Sequence, residues 1–338
     1  MDFTVEDVVP YTSRTLYTSC TSRTRGKQQF SLGGAAYAPA TDEGFDEFEG
    51  LLRQTWTVFG VSILFNFQQD EVHLKQYAKR LREEVASAST QENVSYTTEF
   101  TVMKNITLRP SPEDLPPIKI EVYGKNNDKK DVKKCLYTGI LLSWRTNKNE
   151  LTAVNSVRLP LLLCHGAQST IRTVHNVLNL MFDCIIIGLH AQEDDLMWLV
   201  PIIITPTNNE EYPKDKDEIQ MVYKIPELPD SDTITIKFTI LDLIKILKVI
   251  IKDQSDEATA EISFKLEHIN KFREVLYTQM LEIANLQLGL CTLCKIGLPS
   301  FTMIGNKMKV MNADTMNRVL LYLNEKALDT FHALHFET

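Results

Sequence analysis

The chain has 338 residues, of which 43% are hydrophobic and 24% are charged, and its formal net charge is -8 at pH 7. This composition is typical of a globular protein whose core is large enough to need neither a metal ion nor disulfides. Proteins that bind DNA tightly over a wide face are usually basic, so the acidic balance argues against that class.

The N-terminal segment has the composition of a disordered tail. Residues 8–41 contain no acidic residue, are rich in Ser, Thr, Gly and Ala, and carry four basic side chains. Such a segment cannot bury enough apolar surface to offset its chain entropy, so we expect residues 1–42 to be disordered, with candidate phosphorylation sites. Residues 43–338 are expected to form the folded part, and a subdivision near residues 205–230 is left open.

The cysteines and the N-terminal residues indicate the compartment. The six cysteines are scattered without a regular framework, which favours a reducing environment. The first residues lack the basic and apolar regions of a signal peptide, and no apolar stretch approaches the ~18 residues of a membrane helix. We therefore expect no membrane association.

Hydrophobic periodicity predicts the following elements in chain order. The predicted helices are residues 45–53, 71–85, 170–182, 243–250, 267–285 and 316–327. The predicted strands are residues 56–67, 96–103, 118–123, 135–144, 159–164, 184–188, 197–204, 233–240, 286–297 and 301–311. Strands outnumber helices and do not alternate strictly with them, which predicts an α+β fold on largely antiparallel sheets.

The clearest local pattern lies in residues 158–187. An apolar run at 159–164 is broken by His165-Gly166, and Ser169 begins an amphipathic helix that ends at Asp183. These three polar residues are also the types that form a catalytic triad. No Gly-x-Ser-x-Gly elbow surrounds the serine, so the pattern favours a packing unit over a hydrolase.

Metal sites have two sets of candidates. Cys291 and Cys294 form a C-x-x-C pair that His332 and His335 could complete, but on a strand residues three apart face opposite sides of the sheet. Acidic clusters at 193–195, 210–211 and 215–218 are interpreted as solvated loops, with magnesium binding as the alternative. No nucleotide-binding glycine loop is present. We expect no cofactor and no metal.

Two groups of residues are candidates for nucleic-acid contact. Aromatic side chains lie close together in the sequence near one predicted strand, where core packing is favoured over base stacking: Trp56, Phe59, Phe65 and Phe67. A loop between two predicted strands is rich in lysine and is either a solvated loop or a site of contact with DNA or a nucleosome. Its lysines are Lys125, Lys129, Lys130, Lys133 and Lys134.

Three sequence blocks resemble the centromere protein L family of the inner kinetochore. They are Trp56-Thr57 with Leu64-Phe65-x-Phe67 and Leu74, Tyr77 and Leu81; then Lys134-x-Leu136-x-Thr138-Gly139; then Leu159-Pro160-Leu161, Gly166-Ala167-x-Ser169 and Phe182-Asp183-Cys184. The resemblance covers residues 45–336, with departures at Ile63 and His165. It implies curved sheets with helices packed on one side.

The resemblance also implies a function. The chain would be a non-enzymatic subunit of the constitutive centromere-associated network, located in the nucleus at the centromere and kinetochore. Its partners would be centromere protein N, in a heterodimer, other inner-kinetochore subunits, and the centromeric nucleosome or DNA through the complex. The alternatives are a metal-dependent, nuclease-like enzyme that uses the acidic loops and an independent DNA-binding protein. Whether the chain forms a homodimer in isolation is left open.

Edge-to-edge joining of two sheets is the expected mode of partner binding. The long strands at 287–295 and 301–310 show little edge protection and are the candidates for the shared edge. Leu293 is expected to be exposed there, so that Leu293→Arg weakens partner binding without unfolding; an internal strand with Leu293 under a helix is the alternative. The candidate partner-binding residues are Gln287, Cys291, Leu293, Lys295, Phe301, Lys307 and Lys309.

Overall fold

The computed structural model describes residues 27–32, 47–88, 94–106, 114–126, 133–144, 155–206, 213–214, 216–229, 231–252 and 262–335. The strands in these residues are β1 (Gln29–Leu32), β2 (Thr55–Val61), β3 (Leu64–Phe65), β4 (Val94–Val102), β5 (Ile118–Asn126), β6 (Lys134–Leu142), β7 (Ser156–Val157), β8 (Leu161–Gly166), β9 (Ile186–Gly188), β10 (Glu218–Lys224), β11 (Thr233–Thr239), β12 (Ile262–Lys265), β13 (Thr292–Gly297), β14 (Phe301–Ile304) and β15 (Lys307–Val310). The helices are α1 (Glu71–Ala88), α2 (Gln168–Phe182), α3 (Glu193–Ile204), α4 (Ile240–Lys252), α5 (Leu266–Ala284) and α6 (Ala313–His335), with short 3-10 helices at Glu47–Leu51 and Leu288–Leu290.

One large sheet organises the molecule. Its strand order is β11-β10-β13-β14-β15-β2-β8-β6-β5-β4, and β9 also pairs with β2. All pairings between the described strands are antiparallel. Two small sheets, β1 with β12 and β3 with β7, lie outside it. The predicted α+β class on a largely antiparallel sheet is confirmed.

The two faces of the large sheet carry separate hydrophobic cores. On one face, Leu161 and Leu163 of β8 belong to a larger core with residues of α3, α4, α5 and α6. On the other face, Leu162 and Cys164 belong to a smaller core with residues of α1 and α2. Because alternate residues of a strand point to opposite faces, this double burial explains why the run is apolar at every position.

The double burial corrects the expectation that the helices pack on one side. Helices α2 and α6 both contact β8, and each belongs to a different core. The middle of the sheet is therefore covered on both faces. In the part of the sheet from β11 to β15, the buried residues belong to the larger core, so the helices that cover these strands lie on that side.

Helix α6 lies at the centre of the larger core, and all its residues from 315 to 324 are buried. Arg318 on this helix is only 4% exposed. Its Nη1 donates to the carbonyl oxygens of Ile202, Ile203 and Thr205 at 3.1, 3.3 and 2.6 Å. Carbonyls at the end of a helix lack partners within the helix, and a cation there also complements the helix dipole. Arg318 thus joins α6 to the end of α3.

Sequence periodicity locates most elements but misses helix α3 and strand β10. Residues 197–204, predicted as a strand, belong to this helix, and residues 193–195, predicted as a loop, form its first turn. Every residue from 196 to 204 is buried, so no polar position marks a helical period. The N-terminus of α3 is capped by a hydrogen bond in which the backbone N–H of Gln192 donates to the Asp195 carboxylate at 2.7 Å.

The N-terminal segment contributes to the fold at residues 27–32, so the predicted disorder is wrong there. Strand β1 pairs with β12, and Phe30 is 2% exposed with its ring centroid 5.9 Å from that of Tyr322. The Lys27 ammonium forms an ion pair with Glu325 and lies 4.2 and 4.3 Å from the centroids of the Phe30 and Tyr322 rings. Burial lowers the pKa of Lys27. One aromatic anchor and one cation therefore fasten this short segment to α6.

Phe30→Ala is expected to release this segment from α6. Truncation of a buried aromatic ring typically costs about 3 kcal/mol or more, while a four-residue strand offers few other contacts. The measurement is trypsin cleavage after Lys27, followed by mass spectrometry. Cleavage should be much faster in the variant than in the parent and in Ser31→Ala, an exposed position on the same strand. Equal cleavage rates would show that Phe30 does not anchor the segment.

Candidate functional surface

The strands predicted to form the shared edge lie inside the sheet. Strand β13 pairs with β10 and β14, and β15 pairs with β14 and β2. Their backbone groups already bond to neighbours on both sides, so a partner strand cannot be added there. The assignment of the shared edge to 287–295 and 301–310 is wrong. The strands at the two ends of the large sheet are β11 and β4.

Leu293 and Phe301, predicted to face a partner, are each 1% exposed and belong to the larger core. A β-bulge explains the error for Leu293. Lys295 pairs with Val222 and Leu293 pairs with Tyr223, so one residue is extra on β13. The extra residue shifts the alternation by one position. The alternative of an internal strand with Leu293 under a helix is correct, since α3 packs on β13.

The remaining partner-binding candidates occupy two places. Lys295, Lys307 and Lys309 are exposed or partly exposed on the sheet face opposite the larger core. Gln287 is exposed, and Cys291 is partly buried against the larger core beside the short 3-10 helix. The structure therefore brings the three lysines together and separates them from Leu293 and Phe301. Their role in partner binding stays a prediction.

The three lysines belong to a broad face that we call the open sheet face. It consists of two rows of cross-strand neighbours that run over six strands, and no side chain in either row is buried. The first row is Thr57, Lys307, Ile304, Lys295, Val222 and Thr235, and the second is Thr55, Lys309, Thr302, Gly297, Gln220 and Lys237.

The open sheet face is basic although the chain as a whole is acidic. Its rows hold lysines and no carboxylate, and Glu218 at the border pairs with Lys237 at 3.3 Å. For Lys295, Lys307 and Lys309, none of the described carboxylates is within ion-pair distance. A locally positive face on a negative molecule attracts acidic groups and orients them toward that face.

The candidate DNA-binding loop is only partly described. Lys125 and Lys134 are exposed at the end of the β5–β6 hairpin. Lys133 forms an ion pair with Glu99 at 3.0 Å and lies 4.1 Å from the centroid of the Tyr123 ring. Lys129 and Lys130 lie outside the described residues. The contact of this loop with DNA therefore stays a prediction.

Strand β11 offers a free edge. In the described part of the chain it pairs with β10 alone, and the Ile240 N–H donates to the Asp217 carbonyl at 2.9 Å. Hydrogen-bonded positions alternate in an antiparallel pair, so the backbone groups of Thr235 and Lys237 point away from β10. Ile234 and Phe238 face the larger core but are only partly buried. A further strand could form backbone hydrogen bonds with this edge and bury Ile234 and Phe238 completely.

The suspected catalytic triad is not assembled. Ser169 lies in the first turn of α2, and Asp183 follows the last turn with φ 43°. A helix rises about 1.5 Å per residue, so these two residues are roughly 20 Å apart. The His165 ring packs against Trp56, with centroids 5.1 Å apart. Ala167, rather than Ser169, is the N-cap of the helix.

Three of the four aromatic candidates pack inside the protein. Trp56 is 1% exposed and its indole N–H donates to the Leu51 carbonyl at 2.8 Å. Phe59 packs on His175, with ring centroids 4.5 Å apart, and Phe67 is buried. Phe65 is 37% exposed. Trp56 and Phe67 are core residues, as the sequence favours.

The acidic cluster at 193–195 is engaged in structural contacts. Glu193 accepts from the Tyr277 hydroxyl at 2.8 Å, Asp194 pairs with Arg273 at 2.5 Å, and Asp195 accepts from the Tyr322 hydroxyl at 2.9 Å. These contacts hold α3 against α5 and α6. The prediction of a solvated loop is wrong for this cluster.

The described residues contain no group of three His, Cys, Asp or Glu side chains arranged to hold a metal ion. The Cys294 thiol donates to the Val222 carbonyl at 3.3 Å, next to the bulge. Residues 210, 211 and 215 of the other acidic clusters lie outside the described residues. No helix in the described ranges combines the length and apolar character needed to cross a membrane.

The free edge and the open basic face of the antiparallel sheet are two surfaces that a structural, partner-binding protein can use. Comparison with protein families agrees with this class. The model of the family described as centromere protein L matches residues 50–328, so the chain belongs to the centromere protein L family. Its role is structural and associated with the kinetochore. No curated protein sequence gives a significant match.

Proposed function

We propose that the chain is a non-enzymatic structural subunit of the inner kinetochore that forms a heterodimer with centromere protein N. The free edge of β11 carries this proposal, because its outward backbone groups and its partly covered Ile234 and Phe238 match what strand addition requires. The strand also contains no proline and has a single charged residue, Lys237. Protected edges usually carry prolines or several charges.

The heterodimer would belong to the constitutive centromere-associated network. Contact with the centromeric nucleosome or DNA would follow through the assembled complex, with Lys125 and Lys134 on the exposed end of the β5–β6 hairpin. The same β11 edge could pair with a second copy when the partner is absent, because a self-complementary edge is the simplest route to a homodimer.

Thr235→Pro is expected to abolish the heterodimer. The Thr235 N–H points away from β10, so proline removes a donor from the free edge and leaves the β10 ladder intact. The measurement is size-exclusion chromatography of the chain co-expressed with centromere protein N. The parent should co-elute with the partner, whereas the variant should elute alone.

Thr235→Val is the matched control, since it keeps the backbone donor and the side-chain shape. It should co-elute like the parent. Retention of the complex by Thr235→Pro would contradict the use of β11 and would point to β4, the other end of the sheet. Failure of the parent to co-elute would contradict the heterodimer itself.

A further inference from the structure

The first row of the open sheet face contains an apolar side chain between two cations. Ile304 is a direct cross-strand neighbour of Lys307 on β15 and of Lys295 on β13. Neighbours of this kind have Cβ atoms about 5 Å apart, so the side chains of both lysines flank Ile304. Ile304 is 49% exposed.

The surroundings of this triplet are polar and positively charged. Lys309 and Thr302 lie beside it in the second row, and Thr57 extends the first row. With strands about 4.8 Å apart, six strands span roughly 24 Å, which is the length of a short extended peptide. The face thus offers cations, hydroxyl groups and a central apolar contact.

We infer that the open sheet face binds an acidic protein segment that places an apolar side chain on Ile304. Carboxylates of the segment pair with Lys295 and Lys307 on either side of that contact. Clusters of basic residues recognise acidic motifs in this way, and the apolar contact selects among them.

Two observations favour a protein segment over nucleic acid. A duplex presents phosphates along its flank, and these give nothing to an exposed isoleucine at the centre of the face. The chain also has 44 acidic and 36 basic residues, so a DNA duplex that extends beyond the open sheet face would pass negatively charged regions of the protein and be repelled by them. A short acidic segment avoids both penalties.

This inference does not rest on the proposed heterodimer. Strand addition at β11 uses backbone groups at the end of the sheet, whereas the acidic segment contacts side chains on β13, β14 and β15. The two can therefore fail separately: Thr235→Pro tests the edge, and substitutions at Lys295, Ile304 and Lys307 test the face.

The experiment is fluorescence anisotropy with the full chain and two labelled peptides, Glu-Asp-Glu-Leu-Glu-Asp-Glu and the same peptide with serine in place of leucine. A labelled short DNA duplex is the third probe. Two variants are compared with the parent: a double variant that combines Lys295→Glu and Lys307→Glu, and the single variant Ile304→Ser. The matched control is Lys79→Glu with Lys271→Glu, which makes the same charge change at exposed positions on α1 and α5.

The parent should bind the leucine peptide more tightly than the serine peptide. The lysine double variant should weaken binding by at least about tenfold, and Ile304→Ser should remove the preference for leucine. The control should bind like the parent, and circular dichroism should show all variants folded. Three results would overturn the inference. They are no binding of either peptide by the parent, a loss of peptide affinity in the control as large as that in the lysine double variant, or binding of the duplex that depends on the lysines and is tighter than binding of the leucine peptide.

Discussion

Leu293→Arg is expected to unfold the protein under conditions in which the parent is native. Leu293 is 1% exposed and lies in the larger core below α3. The substitution removes a buried leucine and places a charged side chain among the apolar residues of the larger core. An uncompensated buried charge costs several kcal/mol, comparable with the roughly 5–15 kcal/mol that stabilises a typical domain.

Ile304→Arg is the matched control, because it makes the same kind of change on the adjacent strand β14 at a position that is 49% exposed. Surface substitutions usually change stability by about 0.5 kcal/mol or less. Soluble yield and thermal melting by circular dichroism should separate the two variants clearly. A folded Leu293→Arg variant with the parent's melting temperature would disprove the bulged register.

The free energy of unfolding is expected to fall by roughly 2 kcal/mol between pH 7 and pH 5 through His175 alone. This side chain is 7% exposed and packs between the rings of Phe59 and Tyr137. Burial lowers its pKa from 6.5 to about 4. Below pH 6.5 His175 is therefore protonated in the unfolded chain but remains neutral in the folded chain, and stability is lost as the pH falls toward 4.

His175→Gln removes this titration and keeps a polar group within reach of the Tyr137 hydroxyl, which lies 3.5 Å from the His175 Nε2. Urea unfolding of the parent and the variant at pH 7 and pH 5 gives four free energies. Other titrating groups contribute equally to both proteins and cancel in the double difference. Equal pH dependence of the parent and the variant would show that His175 titrates normally in the folded chain.

Sequence periodicity predicted several of the elements that have one buried face, although it missed β10. The helix after Asp70 begins at Glu71, and the Asp70 carboxylate accepts from the Val72 and His73 N–H groups at 3.1 Å. The alternating strand at 233–240 is β11. In both cases, polar residues on the exposed side define the period.

The errors have specific physical causes. Helix α3 is buried on all sides, so its sequence contains no contrast between faces. The bulge on β13 depends on pairing with β10, some 70 residues earlier, and the sequence of β13 gives no sign of it. Docking of β1 depends on two residues, Phe30 and Lys27, in a polar segment whose average composition indicates disorder.

The open sheet face could not be predicted from the sequence alone, because its composition depends on the register between strands. Lysines at 295, 307 and 309 can be read from the sequence, but their alignment with Thr57, Val222 and Thr235 follows from pairings between distant strands. The free edge has a similar origin. A strand with high β-propensity can lie anywhere in a sheet, and only the strand order shows that β11 is at the end.

The position of α6 in the chain has a consequence for synthesis on the ribosome. Strands β2, β8 and β15 precede this helix, yet it covers them in the larger core. A nascent chain therefore carries Trp56, Leu163 and Met308 without their cover until α6 has left the exit tunnel. Such intermediates aggregate readily, so we expect the yield of native protein in cells to depend on chaperones that bind the unfinished sheet.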